Sequence, residues 1–296
     1  FLWALGYDGE RIDYLRGYFE RREMVSEPVN ARFLQLVREY IVVGGMPAVV
    51  KRYLETRHFG DVQIEQESIL DACRDDIHKY ADKKDIQKIE ACYQAVPRIL
   101  ALENRKFKYC EVENGGNARK YLESVNWLNA AHLTSQAECV NTPEVGLSAY
   151  VREGWYKLYF SDVGLLMARY GALAKRQVLD GTLSGSMKGG IYENLIAGIL
   201  ERNGFPLYYH KTESGDTEME FVIETDDGVI PVEVKSQTGA TQSLNKMLRR
   251  ATISYGYKFT SGNGGVSEKK ITLPHYMAIF LHPACPLYHE PPTTSH

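Results

Sequence analysis

The chain has 296 residues, which is enough for about two domains that each bury a core of their own. Lysine and arginine total 35 and aspartate and glutamate total 38, and the net charge of −3 excludes a uniformly basic nucleic-acid-binding protein. The longest nearly uncharged apolar run, residues 41–50, is about half of the roughly 20 residues that a membrane-spanning helix needs, so we predict no membrane segment.

The cysteines favour a reducing compartment. They are odd in number, widely spaced, and show neither a C-x-x-C pair nor a zinc-binding spacing. We therefore predict a cytoplasmic protein without disulfide bonds or structural zinc. The five are Cys73, Cys92, Cys110, Cys139 and Cys285.

The first third of the chain has a helical pattern. From Glu10 to about Asn104, apolar residues recur every three to four positions, as on one face of a helix. The segment Gly44-Gly45-Met46-Pro47 interrupts this pattern and predicts a turn between helices. Further helices are predicted over Val62–Tyr80 and from an N-cap at Asp85, with Pro97 expected to kink or end the second.

Residues 81–180 have the element order of a winged-helix domain. After the helices comes a turn at 113–116, then an amphipathic helix over Asn117–Ala131, then extended segments at 133–140 and 149–160. Winged helices can present their third helix to a major groove, although the same fold also serves only for packing. The residues near the exposed face of this helix, and hence the candidate nucleic-acid contacts, are Asn117, Arg119, Lys120 and Ser124.

A Gly/Ser-rich stretch at 181–190 predicts a linker or a tight loop, and we place a domain boundary there. Beyond it the pattern predicts the order α-β-β-β-α-β, and a proline-rich tail after His282 that we expect to be poorly ordered. The predicted elements are a helix at 191–203, strands at 207–210, 218–224 and 229–236, a helix at 241–254 and a strand at 276–281.

The second and third of these strands carry the candidate chemistry. Alternation places Glu218, Glu220 and Glu224 on one face of the strand at 218–224. In the strand at 229–236, Glu233 and Lys235 share one face, and Val232 and Val234 lie on the other. A four-residue loop would pair Glu224 with Val229 and place Glu220 opposite Glu233. A two-residue loop would place Glu220 opposite Lys235, and in both registers the charged groups share one face.

Opposed carboxylates destabilise a sheet, and a divalent cation would relieve them. Oxygen ligands suit Mg²⁺ or Mn²⁺, so Glu220 and Glu233 are candidate metal ligands, with Lys235 placed to orient a water or stabilise a phosphate. The reaction class is phosphodiester hydrolysis. Glu193, in the preceding helix, could approach the same cleft or simply serve as a first-turn acid. The alternative interpretation of Glu233 and Lys235 is that they alternate on an ordinary solvent-exposed strand and have no catalytic role.

Several segments together resemble the prokaryotic AAA-type ATPases whose C-terminal half is a domain of unknown function with a restriction-nuclease-like, PD-(D/E)xK fold. The resemblance implies an α+β chain with a helical segment at 1–80, a winged-helix-like domain at 81–180 and a nuclease-like domain at 181–296. The matching segments are FLWALG at 1–6, GGMP at 44–47, WYKLYFSDVGLL at 155–166, GIYEN at 190–194, EMEFVI at 218–223 and PVEVKS at 231–236.

The resemblance also assigns roles to individual residues. It implies Glu220 as the first metal-binding acid, where aspartate is usual, Glu233 and Lys235 as the E-x-K element, and Glu193 as the helical acid. It further implies an ATPase domain upstream in the same polypeptide. Since no G-x-x-x-x-G-K-[ST] loop occurs in the chain, we expect ATP to bind only in that upstream domain.

Three functions remain open at this point. The first is a metal-dependent nuclease module, and the second is a non-catalytic nucleic-acid-binding module. The third is a protein-interaction or regulatory module of the ATPase, favoured by the acidic balance and 20 tyrosines. The basic residues of the second are Lys83, Lys84, Lys88, Lys106, Lys108, Arg119, Lys120, Arg249 and Arg250.

Overall fold

A computed structural model describes residues 1–215, 217–237, 239 and 241–284, in a mixed α+β arrangement. The predicted tail after His282 therefore lies, from residue 285 onward, outside the described residues. The helices are α1 (Gly9–Arg21), α2 (Glu27–Val43), α3 (Pro47–Thr56), α4 (Phe59–Tyr80), α5 (Ile86–Leu100), α6 (Tyr109–Val112), α7 (Ala118–Ala130), α8 (Val163–Leu179), α9 (Gly185–Arg202) and α10 (Gln242–Leu248). The strands are β1 (Thr134–Val140), β2 (Val151–Phe160), β3 (Tyr208–Lys211), β4 (Glu218–Thr225), β5 (Gly228–Val234), β6 (Gly256–Thr260), β7 (Gly265–Ser267) and β8 (Lys270–Pro274). Short 3-10 helices cover Trp3–Leu5, Leu147–Tyr150 and His275–Phe280.

Helices α1 to α4 confirm the helical interpretation of residues 1–80. Local signals set their ends: Asp8 accepts a hydrogen bond from the Arg11 amide at the start of α1, and Pro28 lies in the first turn of α2. Helix α2 ends at Gly44, whose φ of +82° favours glycine. The predicted turn at 44–47 is therefore confirmed. Helix α5 extends three residues past Pro97 and ends at Leu100.

The strands form one sheet in the order β2-β1-β3-β4-β5-β6-β8-β7. Strands β1 and β2 are an antiparallel pair, as expected of a wing, but β1 also pairs in parallel with β3 through Glu138–Val140 and Tyr208–His210. The sheet therefore continues across the domain boundary that the sequence predicts. Strands contributed by both predicted segments share the same buried core.

The predicted linker at 181–190 is wrong over most of its length, because α9 begins at Gly185. Gly190, within this helix, serves close packing. A Cβ on Gly190 would lie 2.0 Å from the carbonyl oxygen of Leu100, so α9 can approach the end of α5 only with glycine at this position. Composition alone does not distinguish these two uses of glycine.

The predicted strand at 276–281 is also wrong, because residues 275–280 form a 3-10 helix. This run is apolar without alternation, and Tyr276, Met277, Ala278 and Phe280 are all buried, so periodicity could not separate strand from helix. The last strands are instead β6, β7 and β8. The predicted helix at 241–254 is present only as α10, which ends at Leu248.

Among the described residues, no one helix has the length and apolar composition needed to cross a bilayer, although α2 and α3 satisfy that test as a pair bent by 117°.

Candidate functional site

The β4–β5 hairpin fixes the register of the candidate site. Glu224 pairs with Val229 and Phe221 pairs with Val232, which confirms the first of the two predicted registers. Strand β4 buries Met219 and residues 221–223, and an irregularity in its pairing with β3 between Met219 and Val222 interrupts strict alternation. Glu220 and Glu233 are therefore brought to the same face of the sheet.

Lys235 joins these two carboxylates. Its Nζ lies 3.1 Å from Oε1 of Glu220 and 3.3 Å from Oε1 of Glu233. The Glu233 side chain is 2% exposed and that of Glu220 is 17% exposed, whereas Lys235 retains 30% exposure. The second oxygen, Oε2, of each glutamate is buried and has no hydrogen-bond partner within the described part of the chain. The predicted catalytic residues thus converge on one ammonium group and leave two acceptor oxygens unpaired.

Burial makes both carboxylates weaker acids than usual. It raises the pKa of Glu233 to about 7, with Lys235 opposing the shift and Glu220 adding to it. Burial also raises the pKa of Glu220, again opposed by Lys235 and reinforced by Glu193. One lysine is shared between two buried acids, so this pair lacks the positive charge that would hold both ionised at neutral pH.

His275 fixes the backbone at Lys235. Its Nε2 lies 3.0 Å from the Lys235 carbonyl oxygen, and Tyr192 of α9 packs against its ring at 4.4 Å between centroids. The ring is completely buried, and burial lowers the pKa of His275 to about 3. The histidine is therefore neutral, and Nε2 donates the hydrogen bond. No ligand-like spacing in the sequence marks this residue.

Glu193 lies in α9 and is fully engaged by other groups. Its Oε1 accepts hydrogen bonds from Lys157 Nζ at 2.8 Å and from the Tyr159 hydroxyl at 2.5 Å, and its Oε2 accepts from Arg105 at 3.1 Å. Burial would raise the pKa of Glu193, but Lys157 and Arg105 outweigh it, so the pKa lies below its ordinary value. Glu193 does not share the unpaired state of Glu220 and Glu233.

Lys157 links this group to the glutamate that begins β4. Its Nζ lies 3.0 Å from Oε1 of Glu218, whose Oε2 contacts Lys211 Nζ at 2.7 Å. Burial opposes ionisation of Glu218, but the two lysines lower its pKa to about 2. Lys157 can reach across the sheet because its partner on β1 is the small residue Ala137. We name Arg105, Tyr159, Lys157, Glu193, Glu218 and Lys211 the buried ionic network.

The prediction from sequence missed most of this network. One signal was available, since Lys157 stands within the otherwise aromatic and apolar run Trp155–Phe160 and alternates in phase with Tyr159. A lysine at a buried strand position requires an acidic partner. Arg105 lies in a loop between helices, and nothing in its local sequence predicts that it would contact Glu193.

Only part of the predicted set of carboxylate ligands is available to a divalent cation. No group of three or more histidine, cysteine, aspartate or glutamate side chains within the described ranges is arranged to hold a metal ion. The predicted set of Glu220, Glu233 and Glu193 is reduced to the first two, because both oxygens of Glu193 are already bonded. Two carboxylates with unpaired oxygens do fit Mg²⁺, which often takes one or two protein ligands and completes its shell with water and phosphate.

The predicted nucleic-acid helix, α7, presents little free charge. Asn117 is its N-cap and accepts a hydrogen bond from the Lys120 amide, while the Lys120 ammonium is paired with Glu113. Arg119 is exposed, as expected. Ser124 was expected near the exposed face but is only 2% exposed. Ser124 is on the apolar side of α7 with Tyr121 and Val125, so the predicted contact through Ser124 is wrong.

Comparison with known proteins divides the chain into two matched segments. Residues 34–176 match a domain of unknown function, DUF8612, and residues 188–276 match another, DUF4143, which often lies C-terminal to AAA ATPase domains. No curated protein and no solved structure matches the chain. The segment that holds Glu193, Glu218, Glu220, Glu233 and Lys235 is thus the one that matches the domain of unknown function DUF4143.

Proposed function

We propose that the chain is the C-terminal portion of an AAA-type ATPase and carries a nuclease-like module that binds nucleic acid and hydrolyses phosphodiesters with a divalent cation. The observation that carries this proposal is the convergence of Glu220 and Glu233 on Lys235, with one buried oxygen of each glutamate unpaired. Unpaired buried acceptors cost free energy, and a cation would remove that cost.

Each residue has a role that follows from its position. Glu220 and Glu233 would hold Mg²⁺ or Mn²⁺, which supplies charge to polarise a phosphoryl oxygen and to lower the pKa of a bound water. Lys235 is the most exposed of the three, so its ammonium can leave the carboxylates and contact a substrate phosphate. His275 is a positioning residue, because its hydrogen bond to the Lys235 carbonyl fixes the strand end.

The test is cleavage of single- and double-stranded DNA and RNA in the presence of Mg²⁺ or Mn²⁺. We expect cleavage by the wild-type chain, and its loss by a factor of about 100 or more in Glu233→Gln. Glu20→Gln, which removes an exposed carboxylate of α1, is the control and should cleave like wild type. Equal inactivity of the wild type and Glu233→Gln on every substrate would reject the proposal.

The second candidate is a non-catalytic regulatory module of the ATPase. It is supported by the saturation of Glu193, since a helical acid bonded to Lys157, Tyr159 and Arg105 has a structural role already. This function predicts association with the upstream ATPase domain and no dependence on divalent ions. Pull-down of a separately expressed ATPase domain by the wild type and by Glu233→Gln would show equal binding if this second function is correct.

A further inference from the structure

Trp155 on β2 is held between two cations. The Lys106 Nζ lies 3.2 Å from the centroid of its ring, and the Arg152 guanidinium carbon lies 3.6 Å from it. Two groups this close to one ring cannot occupy the same face without a clash, so they lie on opposite faces of the indole. The ring is attractive to each cation, and it restrains both side chains.

The chain brings Lys106 and Lys108 to this strand through a backbone contact. The Phe107 amide donates a hydrogen bond to the Tyr156 carbonyl at 2.8 Å, and the Phe107 ring is buried against Tyr156. Since side chains on either side of Phe107 point away from the core, Lys106 reaches Trp155 and Lys108 is exposed. We name Lys106, Lys108, Arg152 and Trp155 the Trp155 cluster.

The cations of this cluster are not neutralised. Within the part of the chain that the structure describes, the ion pairs include none from Lys106, Lys108 or Arg152 to a carboxylate. Nη1 of Arg152 is covered by its neighbours yet has no hydrogen-bond partner among the described residues. Burial lowers the pKa of Lys106, and repulsion from Arg152, Lys108 and Lys211 acts in the same direction. An anion would relieve both the unpaired donor and this repulsion.

The cluster shares strand β2 with Lys157 of the buried ionic network. Trp155 and Lys157 are two residues apart on β2 and so point to the same face of the sheet, where Lys157 contacts Glu218. Lys211, which repels Lys106, is bonded to the same glutamate. Glu218 precedes Glu220 by two positions on β4. Lys157 thus links β2, which carries the cluster, to the first glutamate of β4, with β1 and β3 between these two strands in the sheet.

We propose that the Trp155 cluster binds the phosphodiester backbone of a nucleic-acid strand and leads it toward Glu220, Glu233 and Lys235. The proposal rests on the proposed function for its direction, but its binding step needs no metal. Arginine and lysine side chains donate hydrogen bonds to phosphate groups, and positively charged surfaces that follow the backbone are typical of single-strand binding proteins. On α7, by comparison, the Lys120 ammonium is already paired with Glu113.

The test is binding of a fluorescein-labelled oligothymidine of about 16 nucleotides. Binding is measured by fluorescence anisotropy, in the presence of EDTA and at a low salt concentration of about 50 mM. The variant is Lys106→Gln/Arg152→Gln. The matched control is Arg57→Gln/Lys79→Gln, which removes two cations that also lie over aromatic rings, Tyr53 and Tyr80, elsewhere on the surface. Near-UV circular dichroism checks that each variant is folded.

We expect the Lys106→Gln/Arg152→Gln variant to bind at least about tenfold more weakly, and the slope of log affinity against log salt to fall by about 1.4 for a single strand. The control should bind like wild type. If the double variant does not fold, the exposed Lys108→Gln variant replaces it, with an expected fall in slope of about 0.7.

Three results would overturn the proposal. They are no binding by the wild type at low salt, equal binding by the double variant and the control, and equally good competition by polyglutamate, which would indicate an acidic protein partner. Because EDTA removes divalent cations, these results are independent of whether Glu220 and Glu233 hold a metal. If the wild type binds oligothymidine but cleaves no substrate, the proposed hydrolysis is rejected and the proposed binding by the Trp155 cluster is not.

Discussion

The Gly45 amide donates a hydrogen bond to Oδ2 of Asp162 at 2.7 Å, although the two residues are 117 positions apart. Oδ1 of the same carboxylate accepts from the Gly164 and Leu165 amides at 2.8 and 3.1 Å and so caps α8. One buried aspartate therefore joins the turn between α2 and α3 to the start of α8. The GGMP and SDVGLL segments, which look like separate motifs in the sequence, form a single contact.

This contact predicts that Gly44→Ala is destabilising. A Cβ at Gly44 would lie 2.2 Å from Oδ1 of Asp162, and the φ of +82° is itself unfavourable for alanine. We expect a loss of roughly 2–4 kcal/mol in the free energy of unfolding, measured in urea. Gly9→Ala is the control, because a Cβ there meets no atom within 4 Å. Equal stability of the two variants would contradict the contact.

Lys175 predicts an unusual dependence of stability on pH. It is 3% exposed, its ammonium donates to Gln66, and burial lowers its pKa to about 8, with Glu67 opposing the shift. Between pH 8 and about 10.5 the unfolded chain binds this proton and the folded chain does not, so this lysine makes stability rise with pH. Below pH 8 its burial costs about 3 kcal/mol.

The measurement is the difference in unfolding free energy between wild type and Lys175→Met at pH 7.5 and at pH 10. We expect the free energy of unfolding of the wild type, relative to that of the variant, to rise by roughly 2–3 kcal/mol from pH 7.5 to pH 10. Lys51→Met, at a 79% exposed side chain, is the control and should show no such change. A difference that is independent of pH would mean that Lys175 titrates normally.

The buried ionic network should be sensitive to loss of one partner. Lys157 is 1% exposed and contacts both Glu193 and Glu218, so Lys157→Met leaves the buried carboxylate of Glu193 and the half-buried carboxylate of Glu218 with fewer cations. We expect a loss of about 3–5 kcal/mol in the free energy of unfolding. The same Lys51→Met control breaks only an exposed pair with Glu55 and should change stability by less than about 1 kcal/mol. If Lys157→Met also lowered the free energy of unfolding by less than about 1 kcal/mol, the network would not be needed for stability.

The high pKa of Glu233 predicts that cation binding depends on pH. Glu220, Lys235 and Lys258 are the charged groups that act on this carboxyl, and its pKa of about 7 means that it must lose a proton to bind a cation near neutrality. Below pH 7, the affinity for Mn²⁺ should fall roughly tenfold per pH unit. Isothermal titration of wild type, Glu233→Gln and Glu20→Gln would measure this. Binding by Glu233→Gln as tight as that of Glu20→Gln would exclude Glu233 as a ligand.

The sequence predicts the elements whose signals are local. The alternation in β4 and β5 and the break at Gly44 are each set by neighbouring residues. The turn between the strands is at 226–227, with Thr225 paired to Gly228, so the alternative register that a two-residue Asp227-Gly228 loop predicts is wrong. The pairing of β1 with β3, the contact between Gly45 and Asp162, and the capture of Glu193 by Arg105 depend on residues far apart in the chain. Periodicity contains no information about such contacts, so Glu220, Glu233 and Lys235 were predicted, whereas the cations that engage Glu193 and Glu218 were not.

The sheet that β1 and β3 join has a consequence for how such chains can evolve. Lys157 lies in the DUF8612 segment, whereas Glu193 and Glu218 lie in the DUF4143 segment. Exchange of either segment by recombination would leave a strand without its neighbour and a buried charge without its partner. The two segments therefore share one sheet and one ionic network, and we expect a substitution of Lys157 on one side to be tolerated only with a matching change at Glu193 or Glu218 on the other.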